Sequence, residues 1–165
     1  MIVKDALAEA MDLAPAGLFV EFGVGTGASL RRLNDARPGA IGFDSFQGLP
    51  EDWRPEYPRG TFACDPPEIP GAQLVIGEYG PETLTVVAPC ALLHVDCDLY
   101  SSAVWALEWF KQNSVPGAIV VFDEFFGYEG CEAHEEKALI DSGLEVEELF
   151  RSNETGQKVV FRVLE

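Results

Sequence analysis

The chain has 165 residues, which fits one ordinary domain and is too short for two. Its hydrophobic fraction is 47%, enough for a sizeable core, and its formal net charge is −17. So strong a negative charge repels phosphate backbones and anionic lipid surfaces, which argues against nucleic acid and membrane partners. The composition therefore favours small molecules or a metal ion as partners.

The first 14 residues carry apolar side chains at helical spacing, which predicts a short amphipathic helix over residues 1–14. No basic stretch followed by a long apolar run is found here, so we expect neither a signal peptide nor a membrane span. The four cysteines form no CxxC pair and match no zinc-site spacing, which favours free thiols in a reducing compartment. The prediction is one cytoplasmic domain covering residues 1–165.

Five apolar segments then alternate with helical patterns along the chain. The predicted strands are GLFVEFG, AIGFD, QLVIG, ALLHVD and GAIVVFDE, and helices are predicted over residues 28–35, 81–84, 101–113 and 134–142. Two last strands, EVEELFR and QKVVFRVL, flank SNETG, which is typical of a hairpin turn. Continuous apolar strands alternating with helices predict an α/β fold, with a doubly wound, mostly parallel sheet and an antiparallel C-terminal hairpin at its edge.

The segment from residue 45 to residue 72 is rich in proline and glycine and carries Trp53, Tyr57 and Phe62. We expect an ordered loop, since loops of this length in compact domains are usually functional. Two interpretations of its aromatic side chains stay open. They either pack the loop itself or form a wall over bound ligands.

Acidic residues follow each of the first five predicted strands. In such sheets ligands bind beyond the carboxyl ends of the strands, so these acids should gather at one edge. They are Glu21, Asp44, Glu78, Asp96 with Asp98, and Asp123 with Glu124.

The turn after the first predicted strand has the pattern of a nucleotide-type cofactor site. Gly23, Gly25 and Ala28 satisfy G-x-G-x-x-G/A, and Asp44 lies near the expected distance for a ribose contact. This pattern alone fits either a dinucleotide or S-adenosylmethionine (SAM). The carboxylate of Glu21 opposes a pyrophosphate but suits an ammonium and a sulfonium, which favours SAM. No Tyr-x-x-x-Lys follows near the fifth strand, so an NAD-dependent oxidoreductase is the weaker alternative.

Four stretches carry a family resemblance: EFGVGTG, GFDSFQGLPEDW, LLHVDCDLYSS and IVVFDEFFGYEG. With them the chain resembles class I SAM-dependent methyltransferases, and most of all the macrocin O-methyltransferase (TylF/MycF-like) family, which modifies sugar hydroxyls in macrolides. The resemblance implies a Rossmann-like sheet of seven strands with a reversed last strand, and methyl transfer to the hydroxyl of a sugar or natural product. Members of that family have more N-terminal sequence, so we expect an acceptor pocket that is more open or is completed in a homo-oligomer.

The resemblance also implies roles for residues of the site. A site for Mg²⁺ or a similar divalent cation would use the oxygen ligands Asp96, Asp123 and Glu124, which suit a hard cation. The residues expected around the cofactor are Glu21, Gly23, Gly25, Gly27, Asp44, Ser45, Gly77 and Glu78.

The general base is left open by the sequence. Catechol-type relatives carry a lysine shortly after the acid of the fourth strand, and here that stretch reads Asp98-Leu99-Tyr100. The catalytic candidates are His134, Asp98, and the metal with its ligand Asp96. His94 lies inside an apolar strand and is expected to be a hydrogen-bonded core histidine. A protein that binds the cofactor without catalysis remains an alternative.

Overall fold

The structure is a computed structural model that describes residues 2–152 and 157–164. Its strands form one sheet in the order β1-β7-β8-β6-β5-β2-β3-β4. The bounds are β1 Ile2–Val3, β2 Leu18–Phe22, β3 Ile41–Asp44, β4 Gln73–Ile76, β5 Cys90–Val95, β6 Ser114–Phe122, β7 Val146–Ser152 and β8 Val159–Val163. All neighbouring strands are parallel except β8, which is antiparallel to both β6 and β7. The predicted α/β fold class with its reversed last strand is confirmed.

Two details of the sheet differ from the predictions. Strand β8 lies between β6 and β7, so the reversed strand is internal to the sheet and is not an edge. The two-residue strand β1 adds an eighth strand beside β7. The predicted turn SNETG falls almost entirely on residues 153–156, which lie outside the described part of the chain.

The helices are α1 Ala6–Leu13, α2 Ala28–Ala36, α3 Tyr100–Asn113 and α4 Glu135–Ser142, with 3-10 helices at Pro81–Thr85 and Cys131–Ala133. Their positions agree with the predictions to within two residues, except at the N-terminus. There the helix predicted over residues 1–14 begins only at Ala6. The carboxylate of Asp5 accepts a hydrogen bond of 3.0 Å from the Ala8 amide and so caps the first turn.

Helices cover both faces of the sheet, and each face has its own buried cluster. On the side of α3 and α4, the ring of Phe22 stacks on Phe43 with centroids 4.3 Å apart, and both rings contact the buried Trp109. On the side of α1 and α2, Leu7, Leu30 and other apolar side chains pack on the alternate strand residues. The two clusters fix the carboxyl ends of the strands as a rigid frame.

The loop from residue 45 to residue 72 is ordered by its own backbone hydrogen bonds, as predicted. The Leu49 amide donates to Thr61, and the Gly60 amide donates back to Leu49, each at 2.9 Å. A Cβ atom at Gly48 would lie 2.4 Å from the Gly60 carbonyl oxygen, so the two arms of the loop touch at a residue without a side chain.

Two smaller expectations can be compared with the described residues. All four cysteines are free thiols. No helix in the described part of the chain combines the length and the apolar character that a membrane crossing requires.

Candidate active site

A cavity of about 700 Å³ opens at the carboxyl ends of the parallel strands. Of the acids predicted to gather at this edge, five line it, and they come from four different strand ends: Asp44, Glu78, Asp96, Asp98 and Glu124. Glu21 and Asp123 do not line it. The volume is in the range of small-molecule and cofactor pockets, and the position is where ligands bind in open α/β sheets.

The turn after β2 and the end of β3 form one wall of the cavity. The carboxylate of Asp44 accepts a hydrogen bond from the Gly25 amide and another from the Phe46 amide, each at 2.8 Å. Each oxygen then keeps a further lone pair for a ligand. Gly23 has a φ of +94°, and a Cβ atom there would lie 1.9 Å from the Asp96 carbonyl oxygen. Glycine is therefore required at this position by both conformation and space.

The other predicted cofactor residues divide into two groups. Ser45 and Glu78 line the cavity, whereas Gly27 and Gly77 lie just outside its wall. Gly27 precedes α2 in the left-handed conformation, with Ile69 and Pro67 packed against it. Its role in this structure is to let the loop approach the helix.

Glu21 is placed differently from the expectation. The side chain is fully buried beneath the glycine turn, and its Oε1 atom lies 2.8 Å from Nδ1 of His94. Burial raises the pKa of Glu21. Since the cavity does not reach this carboxylate, the predicted direct contact with a cofactor ammonium is absent from this geometry.

His94 is the hydrogen-bonded core histidine that the sequence predicts. It is completely buried, and each ring nitrogen faces a carboxylate: Glu21 at 2.8 Å and Asp123 at 3.1 Å. The ring thereby connects the end of β2 to the end of β6.

The three predicted metal ligands do not converge. Asp96 and Glu124 line the cavity, but Asp123 lies outside it, where its Oδ1 atom accepts hydrogen bonds from the Lys158 ammonium and from His94. Consecutive residues at a strand end point to opposite sides of the sheet, which separates Asp123 from its neighbour Glu124. The residues present therefore do not fit the predicted magnesium site.

A different group of ligand atoms is brought together beneath the cavity. Within residues 2–152 and 157–164, three acid or histidine side chains have ligand atoms within 4.8 Å of one another only at Glu21, His94 and Asp96. Both nitrogens of His94 already hydrogen-bond carboxylates, so neither offers a free lone pair to a cation while these bonds stand.

Asp96 and Asp98, the acids that follow β5, carry strongly altered electrostatics. Burial raises the pKa of Asp98 to about 7, with a further rise from Glu124 and an opposing effect of Arg54. Burial likewise raises the pKa of Asp96, and His94 opposes that shift. Asp98 also has a φ of +62°, a left-handed conformation that is uncommon for a residue other than glycine. Strained, titratable groups of this kind concentrate at functional sites.

His134, one of the catalytic candidates, does not line the cavity. It directly precedes α4, and because α4 packs on α3 its Nδ1 atom accepts a 3.4 Å hydrogen bond from the Tyr100 amide. Partial burial lowers its pKa. The histidine is a helix-end residue in this structure, and the cavity wall does not include it.

The aromatic residues of the long loop pack against one another and also line the cavity, and a contact with a bound ligand stays a prediction. Trp53 packs against Tyr57 with ring centroids 5.3 Å apart, Tyr57 packs against Phe62 at 5.5 Å, and all three line the cavity. Trp105 of α3 also lines it.

Two basic residues were missed by the sequence reasoning. Arg54 is the one cationic side chain among the described residues of the cavity wall, and its guanidinium lies 4.1 Å from the Trp53 ring and 4.4 Å from the Tyr128 ring. Lys158 bonds to Asp123, and burial lowers its pKa. The only sequence feature that indicates Arg54 is its position next to Trp53 in an aromatic loop. No local motif indicates Lys158.

No protein-family model and no curated protein matches the chain in sequence. Solved structures do resemble it. CalS11, a calicheamicin methyltransferase described as a TDP-rhamnose 3′-O-methyltransferase, has a TM-score of 0.71 at 22% identity, covering 96% of this chain and 76% of CalS11. The O-methyltransferase NovP has a TM-score of 0.67 at 18% identity, covering 96% of this chain and 78% of NovP.

A third structure matches this chain in length. SMU.1697c, a putative methyltransferase from Streptococcus mutans in complex with S-adenosylhomocysteine (SAH), has a TM-score of 0.58 at 12% identity, covering 99% of this chain and all of that one. Identities this low establish the fold and leave the closer resemblance to the macrocin family a prediction. The chain therefore has the mixed α/β fold of these methyltransferases.

Proposed function

We propose that the chain is a SAM-dependent methyltransferase that methylates a hydroxyl group of a small molecule of sugar or natural-product type. The observation that carries this proposal is the cavity of about 700 Å³ at the carboxyl ends of the strands. Its wall combines two groups of residues, which we call its two ends: the glycine turn with Asp44, and Asp98 with Arg54 and the aromatic rings. Cofactor and acceptor would thus meet in one space.

The first end suits SAM. The backbone from residue 23 to residue 27 would hold the methionine part, and Asp44 would accept hydrogen bonds from the ribose hydroxyls. Glu78 would border the adenine. The cavity wall contains five carboxylates and one cationic side chain within the described residues, which favours a cofactor bearing an ammonium and a sulfonium over a dinucleotide with its pyrophosphate.

The second end suits a hydroxyl acceptor. Aromatic rings such as Trp53 and Tyr57 offer flat apolar surfaces, and carboxylates accept hydrogen bonds from hydroxyl groups. CalS11 and NovP, both O-methyltransferases by their descriptions, support this acceptor class. The net charge of −17 supports a small-molecule acceptor over nucleic acid.

Asp98 is the residue that we assign as general base. Its pKa of about 7 allows it to accept a proton near neutral pH. The acceptor oxygen would attack the methyl carbon of SAM as the carbon–sulfur bond breaks. The hydroxyl proton passes to Asp98, and SAH is left as the second product. The protein contributes orientation and electrostatics, and it forms no covalent intermediate.

No step is assigned to a divalent cation. The family resemblance implies metal assistance, but Asp123 is hydrogen-bonded to Lys158 and His94 and does not line the cavity. The mechanism therefore uses only the side chains of the cavity.

The test is calorimetric titration of SAH into the purified protein, with a separate titration of NADH for comparison. We expect one-to-one binding of SAH at micromolar concentration, about −8 kcal/mol, and no heat from NADH. Binding of NADH in its place would favour the oxidoreductase alternative. SAH binding without transfer of a labelled methyl group to any sugar acceptor would indicate a cofactor-binding protein.

A further inference from the structure

Four charged or ionisable side chains form a row beneath the cavity: Glu21, His94, Asp123 and Lys158. Glu21 and His94 are partners in the register of β2 and β5. Phe122 is paired with Val159, so the next antiparallel step places Asp123 opposite Lys158. The row therefore crosses four adjacent strands of the sheet.

Strand alternation places all four side chains on one face. Residues two positions apart point to the same side, and the residues two positions away from the row belong to the buried cluster on the side of α1 and α2. These residues are Phe19, Leu92, Val121 and Val160. The row is thus built into the sheet and does not depend on a surface loop.

Adjacent members of the row are bonded to one another. Glu21 bonds to His94 at 2.8 Å, His94 bonds to Asp123 at 3.1 Å, and Asp123 accepts from the Lys158 ammonium. Glu21 and the imidazole share two protons in either arrangement, as carboxylate with imidazolium or as carboxylic acid with imidazole. That pair is neutral, and the ammonium balances Asp123. The row needs no external cation to offset its buried charge.

The second acid after β6 also has a basic neighbour. A guanidinium nitrogen of Arg54 lies 3.9 Å from Glu124, and both side chains are about three-quarters buried. Each of the two acids that the family resemblance assigns to a metal after β6 is therefore already next to a cation of the protein.

We propose that the Lys158 ammonium takes the place of the divalent cation at Asp123, so that this chain does not use a bound metal ion there. The expectation of a metal site at Asp123 rests on the proposed function. Cation binding itself is measured without SAM or acceptor. A failed metal test and a failed cofactor test are therefore separate results.

The experiment is titration of Mn²⁺ followed by electron paramagnetic resonance of the free ion. The proteins are the wild type, K158M, K158R and the double variant K158M/D123N. Removing any cation makes a chain of charge −17 more attractive to Mn²⁺, so K4M, which changes an exposed lysine, is the matched control. Circular dichroism shows which variants are folded.

We expect the wild type, K4M and K158R to bind Mn²⁺ with Kd above about 1 mM. K158M should bind one Mn²⁺ at least about tenfold more tightly than K4M, and the D123N change should abolish that gain. A wild-type Kd below this threshold would overturn the proposal. So would a folded K158M without the gain, or a gain that survives D123N. If K158M does not fold, the wild-type and K158R titrations still test the proposal. A Kd for Mn²⁺ above about 1 mM in both proteins supports it, and a lower Kd overturns it.

Discussion

The two ends of the cavity are held by different forces. At the glycine turn, neutral backbone amides bond to Asp44 at 2.8 Å, and a glycine at position 23 permits close packing. At the ends of β5 and β6, burial raises the pKa values of Asp96, Asp98 and Glu124, and the nearby His94 and Arg54 oppose these shifts. The first end is thus a fixed geometric surface, and the second is an electrostatic one that responds to pH. This difference suits an invariant cofactor at one end and proton transfer at the other.

The largest expected effect is on the electrostatic end. D98N should lower kcat for methyl transfer by about 10²–10⁴-fold, the range for loss of a general base, while SAH affinity stays unchanged. Steady-state kinetics with a labelled methyl group measure it. D12N, which changes an exposed aspartate on α1, is the control and should retain full activity. Equal kcat in D98N and D12N would remove Asp98 from the mechanism.

The second effect is on the stability of the geometric end. G23A forces a Cβ atom to within 1.9 Å of a carbonyl oxygen, so the free energy of unfolding should fall by about 3 kcal/mol or more. G117A is the matched control, because its φ is +71° and a Cβ atom there meets nothing within 4 Å. It should cost only about 1–2 kcal/mol of conformational strain. Urea unfolding gives both values, and equal losses would contradict the close approach at Gly23.

A smaller effect is expected on cofactor affinity. D44A removes the acceptor for both the turn amides and the ribose, so the Kd for SAH should rise about 10–100-fold, which corresponds to about 1.4–2.8 kcal/mol. D35A on the exposed face of α2 is the control. Calorimetry measures both, and an unchanged Kd in D44A would show that the cofactor lies elsewhere.

The smallest effect is the pH dependence of activity. Asp98 must be ionised to accept a proton, so kcat should fall about tenfold per pH unit below its pKa of about 7 and level off above it. The free energy of unfolding changes with pH in the opposite direction to kcat. The folded state binds the proton more tightly than the unfolded state, whose carboxyl titrates near 3.8, so this group makes the free energy of unfolding fall as pH rises from about 4 to about 7. D98N should flatten both profiles, and a wild-type rate independent of pH would contradict the assignment.

Local patterns in the sequence predict the glycine turn, and they predict which acids of both ends reach the cavity. Apolar runs followed by acids place Asp44, Asp96 and Glu124 at one edge, because parallel strands share their carboxyl ends. The φ of Gly23 follows from the same turn pattern. These features depend on a few consecutive residues, which is why a sequence pattern is enough.

The electrostatic end depends on contacts between distant segments. Lys158 reaches Asp123 because β8 inserts beside β6, whereas the hairpin pattern predicts only the antiparallel direction of β8. The position of His134 depends in the same way on the packing of α4 on α3, which a helical pattern does not specify. The sequence does carry one signal against the predicted metal site: Asp123 and Glu124 are consecutive, so strand alternation argues against both facing the same ligand.

The most direct test of the account is calorimetric titration of SAH into the wild type, D44A and D98N side by side, each shown to be folded by circular dichroism. The account predicts micromolar binding by the wild type and by D98N, and affinity weakened about 10–100-fold in D44A. Absence of SAH binding by the folded wild type would contradict the proposed function. Equal weakening in D44A and D98N would contradict the separation of the cavity into a cofactor end and a proton-transfer end.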